Sequence, residues 1–422
     1  NEIDKICYTN KVAWCNRIIK LEEDTMIQGK QSFLAACDNH KSAAFTINMT
    51  LAQNPEISSQ EFESVKTIGR VLEQAGIPVE YEFCNLPTAF IAHAVQVDNP
   101  TACLAILCEY DALPGVGHAC GHSASGSMST LAALALHQMQ TEGYEFHGDI
   151  DIIGTPDEEA TGCKVDMVNA GVFKDYDFAI MVHLDGEETR PNSNFLALDN
   201  FRARFYGKPA HAAGEPWNGV NAANGMQLAI HALDMLRQQV RPETRIGNWI
   251  IKAGTASNVI PDFAEFESCV RHTERTYLNT ISEQVKRIFE GAAMATGTRV
   301  EYGFHGNCYD SMNVLESGNH LIEDVMTNLD IPFIPGAAPV SGSSDIGNVS
   351  FQCPAFHPKL RLAGEDKVCH SVEFAAAMQD PTIEQTILDG AHIIGLSLLS
   401  LMEKPETLAT IKAEFDASNI KN

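Results

Sequence analysis

Basic side chains are scarce in this chain. Its 29 lysines and arginines stand against 55 aspartates and glutamates, for a formal net charge of -26. No basic surface dominates, which argues against a nucleic-acid partner and against an anionic membrane surface. The acidic balance itself speaks of solubility, not of fold. Long apolar runs are missing as well, and none approaches the ~18–20 residues of a membrane span. The stretch from Asn1 to Arg17 mixes charged and apolar residues and does not read as a signal peptide. No methionine opens the chain, so a targeting segment removed from its front stays open. There are no repeats and no low-complexity segments. The twelve cysteines follow no compact framework of spacings, so in 422 residues they read as reduced, mostly buried thiols of a cytoplasmic protein. What remains is the apolar and charged balance of a globular protein, long enough for two or three domains.

Residues 1 to 40 read as helical, as does Ala43 to Gln53. Ser58-Ser59-Gln60-Glu61 can cap a helix from Phe62 to Ala75. Short strands are expected at Val79–Phe83, Ala89–Val95 and Ala102–Leu107, then a small-residue helix over Ser123–Leu136 and a strand over Gly148–Ile153. Alternating helices and apolar strands predict an α/β sandwich around a central sheet. From about Phe195 the pattern changes to β-α-β-β-α-β, ending at a strand over Thr298–Tyr302. That is the split βαβ arrangement, closing as an inserted α+β domain of roughly 110 residues. The expected division is 1–194, 195–308 and 309–422, with the first and third parts forming one domain. A last helix is expected from Pro381 to Met402.

Three strand ends carry chemistry. After Ala102–Leu107, a glycine-rich turn holds Cys120 and His122 two residues apart. A bend at Gly121 lets both side chains meet one point, because glycine has no Cβ to obstruct it. Thiolate and imidazole are good ligands for zinc-like ions. Glu158 and Glu159 follow the strand at Gly148–Ile153, and His183 closes the apolar run from Phe178. Each of these alone fits a solvated acid or a structural histidine; three in succession point to a metal site. Further on lie a small polar loop, Ser341 to Val349, and Cys369-His370-Ser371.

With these pieces in view, the sequence resembles the dinuclear-metal aminoacylase and carboxypeptidase-like amidohydrolases, in the branch of auxin-conjugate hydrolases, hippurate hydrolases and β-alanyl-lysine dipeptidases. The most specific motif is Glu109-Tyr110-Asp111-Ala112-Leu113-Pro114 running into Gly117-His118-Ala119-Cys120-Gly121-His122. Glu158-Glu159, Lys208-Pro209-Ala210-His211, Asn258-Val259-Ile260-Pro261, Gly342-Ser343-Ser344-Asp345 and His370 support it in the same order. The resemblance implies a zinc-peptidase-like catalytic domain with a central mixed sheet, and a ferredoxin-like inserted domain serving as lid and dimerisation unit. It implies two divalent ions, zinc first with manganese or cobalt as alternatives, held by Cys120, His122, Glu159, His183 and His370, with Cys120 bridging. Glu158 would be the general base of a metal-bound hydroxide, and Asp111 would orient a ligand. His211 would stabilise the oxyanion in a partner subunit's site, making a homodimer. Asn258, Arg271, Gly342 and Ser343 would bind the substrate. Ser123 departs from the Asp or Asn usual after Cys-Gly-His. Glu109 stands where distant metallopeptidases place a metal-binding histidine. His118, His357 and Cys108 are read as structural.

The expected activity is hydrolysis of the amide of an N-acyl or aminoacyl amino acid, a small-molecule substrate. A catalytically silent metal-binding homologue and an amide-forming enzyme on the same site stand as alternatives. Glu158 beside Glu159 speaks against the silent homologue.

Overall fold

The structure is a computed structural model describing residues 28–364 and 366–419. The expected helix over the first forty residues falls largely outside these. From Lys30 it merges with the next into one helix, α1 (Lys30–Gln53), followed by α2 (Phe62–Gln74). The expected cap of α2 is not formed by Ser58 or Ser59. Ser58 Oγ donates to Asp111 Oδ2 at 2.8 Å and Ser59 Oγ to Asp157 Oδ2 at 2.5 Å. The Glu56 carboxylate takes over instead, accepting from the N–H groups of Glu63 and Ser64, where a negative charge suits the helix dipole.

A six-stranded mixed sheet forms the centre. Its strands are β1 (Val79–Tyr81), β2 (Phe90–Val95), β3 (Cys103–Cys108), β4 (Asp149–Gly154), β5 (Phe178–Ile180) and a late β11 (Ala355–Phe356). The order is β1-β2-β4-β3-β5-β11, with β4, β3, β5 and β11 parallel and β1 and β2 antiparallel. Parallel strands bury both faces, which is why β3 reads as an unbroken apolar run. Leu104 and Ile106 pack into one core with α1 and α3 (His122–Thr141), while Ala105 and Leu107 face a second with α4 (Cys163–Asn169). Burying each large side chain fully is worth about 1.5–3 kcal/mol.

β6 (His183–Asp185) does not continue β5, although the apolar run predicts that it should. It leaves the main sheet and pairs in parallel with β12 (Lys359–Arg361). His183 thus starts a new ladder beside the site.

The chain then builds a separate four-stranded antiparallel sheet from β7 (Ala197–Tyr206), β8 (Arg245–Ala253), β9 (Phe263–His272) and β10 (Arg299–Phe304), in the order β10-β7-β9-β8. β9 alternates buried and half-buried positions along its length, the period of a one-sided sheet. Two helices, α5 (Ala222–Leu236) and α6 (Arg275–Thr296), cover the buried face around Phe201, Phe205, Phe266 and Phe289. Leu198 and Tyr309, at the entry to and exit from this unit, exchange two backbone hydrogen bonds of 2.9 Å.

The helices α7 (Glu316–Asn328), α9 (Val372–Ala377), α10 (Ile383–Glu403) and α11 (Pro405–Asn419) complete the first core, and the short α8 (Ile346–Val349) packs into the second. The sequence pattern predicts no helix at α11. Nor does it predict a helix of membrane-spanning length, yet α10 is long and apolar enough to cross one by length and composition. It is mostly buried against α3 and α1. Gly395 permits the contact, since a Cβ there would collide with the Phe33 ring.

Candidate metal centre

The Cys-Gly-His turn runs from β3 into α3, and Gly121 adopts a φ of 89°. A Cβ at Gly121 would lie 2.8 Å from Leu184 Cδ1, so both the turn and the packing against β6 require glycine. The turn brings Cys120 Sγ to 3.4 Å from His183 Nε2, and His122 Nε2 lies 3.3 Å from the same nitrogen. His122 Nδ1 faces two acceptors, Asp111 Oδ1 at 2.8 Å and the Asp111 carbonyl at 3.1 Å. His183 Nδ1 faces the Leu184 carbonyl at 2.7 Å. Each Nδ1 therefore acts as donor, and the two Nε2 atoms lie side by side next to the Cys120 sulfur. Nitrogen and sulfur ligands of a tetrahedral zinc lie about 3.3–3.6 Å apart, and these separations match.

A second group shares the same cysteine. Cys120, Glu159 and His370 offer donor atoms that all lie within 4.8 Å of one another, with His370 Nε2 4.0 Å from Glu159 Oε1. Glu159 Oε1 is buried without a hydrogen-bond partner among the described residues, which suits a cation ligand. His370 lies at φ 66°, sparsely populated for a non-glycine residue. Its N–H donates to the Ala119 carbonyl at 2.8 Å, tying it to the turn. Asp111 joins the two groups. It takes His122 on Oδ1, and Ser58 Oγ and the Glu159 N–H on Oδ2. Burial alone would raise its carboxyl, but the His122 ring and these donors outweigh that and hold it at about 2.

Behind the ligands lies a charged triad that the sequence did not suggest. Lys164 Nζ sits 2.6 Å from both Glu109 Oε1 and Asp345 Oδ1, and all three side chains are buried. The Lys164 N–H also donates to Asp345 Oδ2 at 3.0 Å. Burial works against the ammonium, but the surrounding carboxylates hold its pKa well up. Burial and the charges of Glu109, Glu159 and Asp345 push Glu158 well above the usual carboxylate range. Burial opposes a charge on His122 too, yet Glu109, Asp111 and Cys120 outweigh it and raise its pKa. The cluster as a whole attracts positive charge, and its donor set of thiol, carboxylate and imidazole suits a zinc-like ion.

Glu158, Glu159, His183 and His370 line a cavity of about 220 Å³ together with Gly342 and Ser343. His357, read as structural, lines it as well; its ring stacks on His183 with centroids 5.0 Å apart. Tyr309 supports the floor, donating from its hydroxyl to the Glu158 carbonyl at 3.2 Å and packing where a Cβ on Gly162 would collide with it. The remaining expected residues stand apart. Arg271 reaches the rim through Nη1, 3.4 Å from Ser343 Oγ. His211 and Asn258 do not line the cavity. They share a loop pair, with the Ala212 N–H donating to the Asn258 carbonyl at 3.0 Å. His211 is exposed, and its Nδ1 accepts from the Ala213 and Gly214 N–H groups, which leaves Nε2 as the donor nitrogen of the neutral ring.

Fold and donor set together define a metal-dependent hydrolase. The chain belongs to peptidase family M20/M25/M40, whose match spans residues 105–384. It is 32% identical over 377 residues to an Xaa-Arg dipeptidase of Mus musculus, covering 86% of each chain. It is 33% identical over 273 residues to a p-aminobenzoyl-glutamate hydrolase polypeptide of Escherichia coli, covering 60% of this chain and 56% of that one. Among solved structures, a Bacillus subtilis protein described as a dinuclear metal binding peptidase of the M20 family superposes with a TM-score of 0.65. It shares 20% identity and covers 87% of this chain and 99% of that one.

Proposed function

We propose that this hydrolase cleaves the amide bond of an N-acyl or aminoacyl amino acid. Its relatives' names, a dipeptidase and an aminobenzoyl-glutamate hydrolase, support that substrate class and lend nothing to a silent homologue or an amide-forming enzyme. The observation that carries the reading of the site is the pair of three-donor groups sharing Cys120. Cys120, His122 and His183 would hold one ion, and Cys120, Glu159 and His370 the other. Zinc is the first choice for a site with thiolate and imidazole, and manganese or cobalt the alternatives. Two divalent ions there would supply Lewis acidity to the scissile carbonyl and lower the pKa of a water.

The chain's own residues do the rest. Glu158 takes the proton of the attacking water and hands it to the leaving nitrogen. Asp111 fixes the tautomer of His122, and the Leu184 carbonyl fixes that of His183. Gly342, Ser343, Arg271 and Asn258 hold the amino-acid end of the substrate.

His211 is exposed and does not line the metal cavity of its own chain, which supports a role as oxyanion donor in a second copy of the chain. The 195–308 unit, between catalytic parts 1–194 and 309–422, would then serve as lid and dimer contact. Its edge strand β8 exposes Trp249, Ile250 and Ile251, an apolar edge suited to pairing with a second copy. The ten described cysteines are all free, which supports a reducing compartment such as the cytoplasm.

The test is Glu158→Gln, assayed on a panel of N-acyl amino acids and β-alanyl dipeptides with elemental analysis of each preparation. Turnover falls at least a hundredfold while bound metal stays near that of the wild type. Retained turnover would remove Glu158 from the role of base.

A further inference from the structure

The stretch expected to cap a helix, Ser58 to Glu61, spends its polar groups elsewhere, and its last member has no part in the chemistry above. Glu61 is fully buried, and among the described residues it pairs with no lysine, arginine or histidine. Three donors from three separate segments fill its carboxylate instead. Oε1 accepts from the Ser59 N–H at 3.0 Å and from the Asp157 N–H at 2.9 Å, and Oε2 accepts from Thr88 Oγ1 at 2.9 Å. The two residues whose N–H groups meet on Oε1 share an uncommon backbone. Ser59 lies at φ 63° and Asp157 at φ 60°, the left-handed region that residues with a Cβ seldom occupy. Such a conformation persists only where its surroundings over-determine it, and here they do. Asp157 Oδ2 accepts from Ser59 Oγ at 2.5 Å and from Thr161 Oγ1, and Oδ1 accepts from the Thr161 N–H at 3.0 Å. The Gly162 N–H closes on the Asp157 carbonyl at 2.8 Å. One residue earlier on each side, Ser58 Oγ shares Asp111 Oδ2 with the Glu159 N–H. Two turns almost a hundred residues apart are thus stitched together directly beneath Glu158 and Glu159.

We propose that Glu61 is a positioning residue for the Glu158–Glu159 loop: it fixes the left-handed turn at Asp157, and through it the two carboxylates that follow. The inference rests on the hydrolase reading above and adds a residue that acts on the site only through another. Each residue has two soft dihedrals, so a change at Asp157 redirects the chain at Glu158. A reacting group displaced by about 1 Å can cost roughly a hundredfold in rate. What position 61 must supply is an acceptor. Without one, the buried Asp157 N–H is left without a partner, and the turn loses the bond that offsets its uncommon backbone. A glutamine there keeps one carbonyl oxygen for both N–H groups, and its amide nitrogen can donate to the Thr88 hydroxyl. The position therefore needs the shape and the oxygen more than the charge.

Glu61→Ala and Glu61→Gln in the full chain separate positioning from a merely structural role. With metal bound, Glu61→Ala should lower kcat on N-acyl amino acids by about tenfold to a hundredfold, with KM unchanged. Cobalt(II) added to chelator-treated protein, followed by visible absorption, should bind more weakly by a similar factor, because Glu159 is displaced with the loop. Hydrogen exchange read by mass spectrometry should quicken in peptides covering 155–162 and stay as in the wild type across β3 and α3. Glu61→Gln should recover most of both kcat and cobalt affinity. Should Glu61→Ala fail to fold, Ser59→Ala removes only the hydroxyl bonded to Asp157. It should lower kcat about twofold to tenfold and quicken exchange in the same peptides; no change in either would overturn the assignment. So would an unmoved kcat and cobalt affinity in Glu61→Ala, equal losses in the alanine and glutamine variants, or exchange quickened alike along the whole chain. If the wild type hydrolyses no conjugate, the hydrolase reading fails, and cobalt binding and exchange still decide the role of Glu61.

Discussion

Replacing Lys164 by methionine should uncover how much of this fold is held against its own acids. The ammonium is the common partner of Glu109 and Asp345, at 2.6 Å from each, and none of the three side chains is exposed to solvent. Burial already lifts Asp345 to about 6 even with Lys164 beside it. Methionine keeps most of the volume and removes the charge, stranding two buried carboxylates next to Glu158. Breaking a buried ion pair in this way costs about 3–5 kcal/mol. At about 2–4 °C per kcal/mol, the scale for domains of 150–250 residues, the melting midpoint falls by about 6–20 °C. The assay is thermal unfolding of chelator-treated protein, followed by near-ultraviolet circular dichroism. The control combines Lys164→Met with Glu109→Gln and Asp345→Asn, which leaves no net charge behind and should recover most of the loss. A drop of less than about 2 °C in the single variant, or a triple variant no better than the single one, would refute the reasoning.

Other outcomes follow from the same geometry. Glu61 is buried and its carboxyl is raised to about 7, first by burial. A raised acid favours the native state below its unfolded pKa and loses that stabilisation as pH climbs, so the window runs from about 4.5 to 7. Glu61→Gln should flatten the pH dependence of stability there, by about 3 kcal/mol across the window at 1.36 kcal/mol per pKa unit; denaturant titrations at several pH values measure it, and parallel wild-type and variant curves would contradict it. Tyr309→Phe removes only the hydroxyl bonded to the Glu158 carbonyl. It should lower kcat about fivefold to tenfold with KM and metal content unchanged, and a loss confined to KM would place Tyr309 elsewhere. Trp249→Lys on the edge of β8 should yield monomers by sedimentation, and an unchanged sedimentation coefficient would clear that edge of any role in assembly.

Much of the fold was legible because its signals are periodic or local. The β-α-β-β-α-β order of the inserted unit, the apolar β3 and the bend at Gly121 all follow from patterns within a short stretch of chain. Of the side chains the structure gathers around Cys120, His122, Glu159 and His183 were legible at three strand ends, whereas His370 was implied only by the family resemblance. What escaped notice depends on partners far along the chain. Lys164 reads as an ordinary lysine until Glu109 and Asp345 converge on it. Tyr309 has no pattern of its own, and its meaning comes from Leu198 and Glu158. Ser58 and Ser59 looked like caps because helix-capping rules consider only neighbours, whereas their hydroxyls are taken by Asp111 and Asp157. The end of β5 was misplaced because an apolar run continues to Val182 while its hydrogen bonds pass to another ladder.

The bond from the His370 N–H to the Ala119 carbonyl joins two stretches with the whole inserted unit between them. A nascent chain emerging from the ribosome therefore exposes its thiol and acids long before the segment that completes their surroundings exists. Contacts of such sequence separation form slowly. Maturation of this centre is thus a late event in biosynthesis, because the segment carrying His370 must be made before the turn at Ala119 can close on it.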